Sequence, residues 1–262
     1  MLRYLKLYGY FLRFSFSRAL EFRLDFFFRI FMDLVFYVVQ FAFFTVLYDH
    51  TDLLGGWTLD QIYVFIGGVF LVDAIHMTVF SNNLWWLPIY VNRGDLDYYL
   101  VRPVSSLFFL SLREFAANSF LNLAMAVAFM TWALWRFPQT LGLFDLLRFG
   151  VLLLVGSLLY YLVRMAFIIP VFWLHSSRGL DEISWSLNKL SDRPHQIYHP
   201  WLRWTLLTIL PVAFASSFPA HALFDAPSAL GWAHVVTVTL LFFSFVAWFW
   251  QRGLRAYSSA SS

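Results

Sequence analysis

Residues 149–174 read FGVLLLVGSLLYYLVRMAFIIPVFWL, a run of apolar side chains in which Arg164 is the one charge. A helix crossing the bilayer needs ~20 mostly apolar residues, and this run is long enough. Five more runs of the same character flank it, over Phe26–Leu47, Gln61–Phe80, Phe115–Trp135, Trp201–Phe218 and Trp232–Trp250. The fifth contains Pro211 and is stopped by Pro219. None alternates with period two, as an outer-membrane strand would. Helices are expected because a helix satisfies its own backbone hydrogen bonds in lipid. The sequence therefore predicts an all-α polytopic membrane protein with six transmembrane helices.

Composition agrees. Of 262 residues, 61% are apolar and 13% charged, with 32 Phe, 13 Tyr and 12 Trp. A soluble domain is about 45–50% apolar and about 25% charged, so one of this length has too little polar surface to cover such a core. Soluble enzymes, secreted scaffolds and disordered segments are excluded. With no cysteine, a disulfide framework, a CxxC redox pair and a thiolate metal site are excluded too. A net charge of +3 does not point to nucleic acid.

The position of the cations orients the chain. Arg3, Lys6, Arg13, Arg18 and Arg23 precede the first run, and Arg93, Arg102 and Arg113 follow the second. Arg178, Lys189, Arg193 and Arg203 follow the fourth, and Arg252 and Arg255 close the chain. The opposite connections hold only Arg136 and Arg148. By the positive-inside rule both termini are expected in the cytoplasm, which an even number of spans satisfies. Tryptophans fall at the expected interfaces, with Trp57, Trp132, Trp135 and Trp232 outside and Trp85, Trp86, Trp173, Trp201, Trp204, Trp248 and Trp250 inside. Trp185 alone lies within a predicted loop.

One transmembrane domain over residues 1–262 is expected. Residues 1–24 carry charges throughout and no cleavage site, so they do not read as a signal peptide. Arg3, Lys6, Tyr10, Arg13, Ser17 and Glu21 make a polar helical stripe opposite Leu5, Tyr8, Leu12, Phe16 and Ala19, the pattern of an interfacial amphipathic helix. Residues 81–106 and 175–200 are expected to be cytoplasmic loops.

Chemistry-bearing patterns are sparse. Neither Lys6 nor Lys189 follows a glycine in a Walker A loop, and Ser157 has no GxSxG elbow. His195 and His199 stand four apart, but between Pro194 and Pro200 and with no third ligand. Ionisable and amide groups inside the spans carry more weight. Glu21, Asp25, Arg29 and Asp33 share one helical face leading into the first run. Asp73 and His76 share a face of the second, Glu114, Asn118 and Asn122 line the third, and Arg164 interrupts the fourth. Interhelical glue, with Arg164 paired to a carboxylate and the Asn groups bonding across helices, is the first reading. A polar pathway or proton relay is the second.

The connection after the second run reads Asn92-Arg-Gly-Asp-Leu-Asp-Tyr-Tyr-Leu-Val-Arg-Pro-Val-Ser105. A Gly turn at Gly94, acidic starts at Asp95 and Asp97 and a stop at Pro103 predict a short cytoplasmic helix. Leu96, Tyr99 and Leu100 are expected to form its docking face. Here the chain resembles the membrane subunits of ATP-binding-cassette transporters of the ABC type-2 exporter superfamily. Within it the chain is similar to the bacterial permease branch with a G-x-L-D-x-x-L-x-R-P segment, matched by Gly94, Leu96, Asp97, Leu100, Arg102 and Pro103. The resemblance extends through the basic N-terminus, Arg193–Tyr198, Ile209–Phe214 and the Gly253–Ser259 tail.

That resemblance implies a permease in the bacterial inner membrane. It would pair with a second permease subunit, identical or paralogous, among membrane lipids, and dock on separate ABC-type ATPase subunits. The Gly94–Ser105 segment would be the coupling helix, the N-terminal helix a connecting helix, and Pro211–Phe224 a broken helix at the outer face. ATP and Mg would sit in the partner ATPase, with no cofactor and no catalytic residue in this chain, and a hydrophobic or amphipathic substrate would be exported. The alternative is a proton-coupled carrier or channel using Asp73, His76 and Arg164.

Overall fold

The computed structural model describes residues 2–19, 23–116, 119–176 and 178–258. The described residues are helical, apart from loops and one isolated bridge between Leu54 and Trp57. The first helices are α1 (Leu2–Ala19), α2 (Arg23–Tyr48), α3 (Leu59–Val79), α4 (Ser81–Arg93), α5 (Asp97–Leu100), α6 (Ser106–Leu112) and α7 (Phe120–Arg136). There follow α8 (Leu143–Ile168), α9 (Val171–Leu174), α10 (Arg178–Asn188), α11 (Pro200–Thr208), α12 (Ser217–Phe224) and α13 (Ala229–Ala256).

Four stretches are long and apolar enough to cross a membrane among the described residues: Ile30–Tyr48, Leu59–Val79, Leu143–Leu174 and Ala229–Ala256. They match the first, second, fourth and sixth predicted spans. The third is a 17-residue apolar helix, α7, that begins at Phe120. Local chemistry sets several boundaries. Thr58 N donates to Gln61 Oε1 (2.9 Å) where α3 opens, and Gly231 N donates to Ser228 Oγ (3.2 Å) at the start of α13. Gly94, at φ 79°, ends α4 in the left-handed region, which costs a residue with a Cβ about 1–2 kcal/mol.

The core sits on α3 and α8. Their apolar windows are 67% and 72% buried, against 11% for α2 and 17% for α13. One cluster packs α3 between α2, α7 and α12 through Phe44, Ile62, Phe65, Phe70 and Met130. A second joins α4, α8, α9 and α13 through Leu87, Leu159, Leu162, Phe172 and Trp250. At Gly156 of α8 a Cβ would lie 2.0 Å from the Phe214 carbonyl oxygen, so only glycine lets the 212–215 turn cross there. The exposed Phe, Leu and Val of α2 and α13 form an apolar surface too extensive for water contact.

Two expectations change. The 201–218 stretch is not one helix. It breaks into α11, a 3₁₀ turn over Val212–Ala215 and α12, because Pro211 offers no backbone N–H. Residues 175–200 also do not stay at one end of the bundle. Ser176 and Glu182 share a cavity with Trp85 of α4, whereas Ile197 Cγ2 lies 3.0 Å from the Cβ position of Gly55, in the α2–α3 connection. The His195 ring is 6.4 Å from His221, and His221 is 6.3 Å from Trp57. The segment 178–198 thus runs from the α4 end to the α2–α3 end. The α11–α12 pair dips back from there, with Leu206 against Val163 and Phe224 returning to Trp57. Trp201 and Trp204, just beyond Ile197, accordingly start from the end opposite to the one expected.

Candidate functional site: an exposed helical tip and a polar interior

At the α4 end, α5 is held by an aromatic and cationic mount. Arg113 donates to the Tyr99 hydroxyl, to Tyr90 Oη (3.3 Å) and to Glu114 Oε1 (3.0 Å). Its guanidinium lies over the rings of Tyr99 (4.9 Å) and Tyr90 (5.5 Å), a geometry that adds cation–π attraction. Burial pushes the Tyr90 hydroxyl up to about 12. Asn83 of α4 closes the frame, donating to the Glu114 carbonyl (2.7 Å) and accepting from Glu114 N (2.8 Å).

The α1 helix braces α6, with Tyr4 edge-on to Phe108 (4.7 Å), Phe11 edge-on to Phe109 (5.3 Å) and Ser15 Oγ accepting from Phe115 N (3.2 Å). Its packing face therefore includes Tyr4 and Ser15, while Lys6, Tyr10 and Arg13 are exposed. Of the six stripe residues, Glu21 lies outside the described residues, as do the side chains of Arg3 and Ser17.

The exposed side of α5 differs from the docking face expected of it. Leu96 is fully buried and packs inward, and Tyr99 turns to Arg113. Tyr98 is 71% and Val101 83% exposed, Leu100 is at the surface, and Arg102 and Pro103 are exposed. The tip is therefore Tyr98, Leu100, Val101, Arg102 and Pro103. Arg102 Nε donates to the Tyr98 carbonyl (3.3 Å) and its guanidinium lies 5.0 Å above the Phe109 ring. Gly94, Asp95 and Asp97 form the turn, where Tyr98 N bonds to the Asp95 carbonyl and Asp97 N to the Gly94 carbonyl (both 3.3 Å).

Inside the bundle, Arg164 makes no ion pair among the described residues, contrary to the expected carboxylate partner. It is 91% buried, and its guanidinium lies 4.5 Å over the ring of Trp185 on α10. Its Nε and Nη1 have no hydrogen-bond partner there. His76 is buried edge-on to Tyr160 (4.8 Å). Asp73 does not pair with His76; it lines a cavity of about 200 Å³ with Tyr160, Trp185, Asn188 and Asp192. Asp33, Asp192 and the Arg164 guanidinium lie near enough to act on the Asp73 charge. Asn122 accepts from the Tyr37 hydroxyl, tying α7 to α2. That is the interhelical bond expected of it.

Asn118 lies outside the described residues, as do the side chains of Asp25 and Arg29. Ser157 Oγ donates to the Leu153 carbonyl (2.9 Å) within its own helix. His195 shares a 2.6 Å hydrogen bond with Ser217 Oγ, and no cluster of three metal-ligating side chains occurs among the described residues. Trp185 is the residue that sequence reasoning passed over. The signal was present, since α10 places Trp185 three residues after Glu182 and three before Asn188 in a strongly amphipathic stretch.

A second cavity, about 680 Å³, opens at the α4 end between α4, α8 and α10, with Trp185 on both cavity walls. A family described as ABC-2 family transporter protein matches residues 34–261. The chain belongs to that family. No curated protein and no solved structure matches it. As an ABC-2 family chain it is a transport subunit and not itself a catalyst. Members of the family work with ABC ATPase subunits in general. The ABC-2 match spans every helix from the middle of α2 onward, so the α5 tip and the interior around Arg164 both lie within it.

Proposed function

We propose that this chain is the permease subunit of a bacterial ATP-binding-cassette exporter, docked through its α5 tip on separate ATPase subunits. The carrying observation is the tip itself. Tyr98, on a four-residue helix that Arg113 ties to α4 and α6, and Val101, Arg102 and Pro103 just after it are all exposed. An apolar and cationic protrusion on a stiff mount suits insertion into a protein cleft, where aromatic and Arg anchors carry most of the binding.

Six crossings make up the permease in this reading, through α2, α3, α7, α8 with α9, the 178–198 segment and α13. The cation bias puts both termini and the α5 tip on the cytoplasmic side of the inner membrane. The exposed apolar faces of α2 and α13 meet lipid or a second permease subunit, identical or paralogous. ATP and Mg act in the partner ATPase. A hydrophobic or amphipathic substrate leaves toward the α2–α3 end, where α11 and α12 fold back into the bundle.

The test is purification of the tagged chain from native membranes in mild detergent, with mass spectrometry of what accompanies it. An ATPase bearing a Walker A loop at near one-to-one stoichiometry supports the reading. A stable oligomer of this chain alone sinks it.

The position of Asp73 on the inner cavity favours one alternative, a proton-coupled carrier using Asp73, His76 and Arg164. Transport driven by a proton gradient without any ATPase distinguishes it.

A further inference from the structure

Among the described residues lining the larger cavity, Arg164 is the one permanent cation. A buried charge is costly unless it is closely paired, and Asp73 acts on the Arg164 charge without an ion pair between them among the described residues. The buried donors Nε and Nη1 without acceptors add to the cost. Trp185 supplies a π face but no acceptor. Leu84, Trp85, Pro88 and Ile168 make much of the remaining wall apolar. Glu182 on the same wall is exposed to solvent, which screens its charge. A volume of about 680 Å³ lies within the range of small-molecule sites, about 300–1,000 Å³.

We propose that this cavity binds an amphipathic anion, with its phosphate or carboxylate head at Arg164 and its apolar chain along Leu84, Trp85, Pro88 and Ile168. Trp185 holds the guanidinium plane in place, so that the head meets a fixed charge and not a mobile one. A lipid of the surrounding leaflet and a free amphiphile share this chemistry. That the bound anion is also the exported molecule rests on the exporter reading above; the binding site does not.

The experiment titrates the purified full-length chain, in a neutral maltoside detergent, with dodecyl phosphate. Dodecyltrimethylammonium and dodecanol serve as controls, and binding is read by thermophoresis and thermal shift. Saturable binding of the phosphate alone is expected, weakened about tenfold or more in Arg164→Gln, because a charge-assisted contact is lost. Ile89→Trp, which fills the cavity and keeps the charge, is expected to weaken binding as much, and it decides the matter where Arg164→Gln does not fold. Absence of saturable binding by the wild-type chain overturns the proposal. So does equal binding by the folded variants, or equal affinity for the ammonium.

Native mass spectrometry then separates the sources, both of which support the site. A co-extracted anionic lipid that Ile89→Trp loses identifies the leaflet. A lipid-free chain that binds added dodecyl phosphate identifies a free amphiphile. If binding holds while no ATPase co-purifies, the exporter reading falls and the site stands.

Discussion

Arg113 donates to the Tyr99 hydroxyl across the junction between α5 and the segment after α6. The contact reaches the exposed tip from a residue that is also bonded to Tyr90 and Glu114. The exposed tip is thereby joined to α4 and to the segment that follows α6.

Removing that hydroxyl tests the joint. Tyr99→Phe keeps the ring and its packing but deletes a hydrogen bond to a charged group, worth about 1.5–3 kcal/mol. Faster amide hydrogen exchange over residues 97–103 is expected, with a several-fold fall in substrate-stimulated ATPase activity of the assembled transporter. Unaltered exchange in that segment would show that Arg113 does not hold the tip.

The tip side chains give a second test. Arg102 folds over Phe109 and caps the Tyr98 carbonyl, while Asp97 opens α5. Replacing either with Ala should lower stimulated ATPase activity and leave membrane insertion intact. Full coupling in both variants would remove the tip from the docking surface.

Gly156 offers a stability test. Because a Cβ would meet the Phe214 carbonyl oxygen at 2.0 Å, Gly156→Ala forces the backbone of the 212–215 turn away. Overpacking of this kind costs about 1–3 kcal/mol, read as a lower melting temperature in detergent. Gly9→Ala meets nothing within 4 Å and should leave the melting temperature within error, or raise it slightly through helix propensity.

The path of residues 178–198 can be mapped by labelling, since the chain contains no cysteine. A thiol placed by His199→Cys should react with a membrane-impermeant reagent from the same side as one from Asp52→Cys. One from Val101→Cys should react from the other side. Labelling of the His199→Cys and Val101→Cys variants from one side would restore the loop reading of residues 175–200.

Hydropathy alone located α2, α3, α8 and α13, because each presents a predominantly apolar run long enough for lipid. The sequence also marked the Gly94–Pro103 turn, since Gly94, Asp95 and Asp97 act through local backbone chemistry that needs no distant partner. It likewise marked Arg164 as a residue whose burial requires an explanation.

What it could not carry was the course of residues 178–198. Hydropathy measures fitness for lipid, and Ser184, Asn188 and Ser191 are buried against protein instead. A polar segment shielded by α3, α8 and the 212–215 turn therefore reads as a loop. The same holds for side-chain direction at short range. Leu96 and Val101 are both apolar and five residues apart, yet one is fully buried and the other 83% exposed. Only the packing of α5 on α6, fixed by Arg113 through long-range contacts, decides which of them is left exposed.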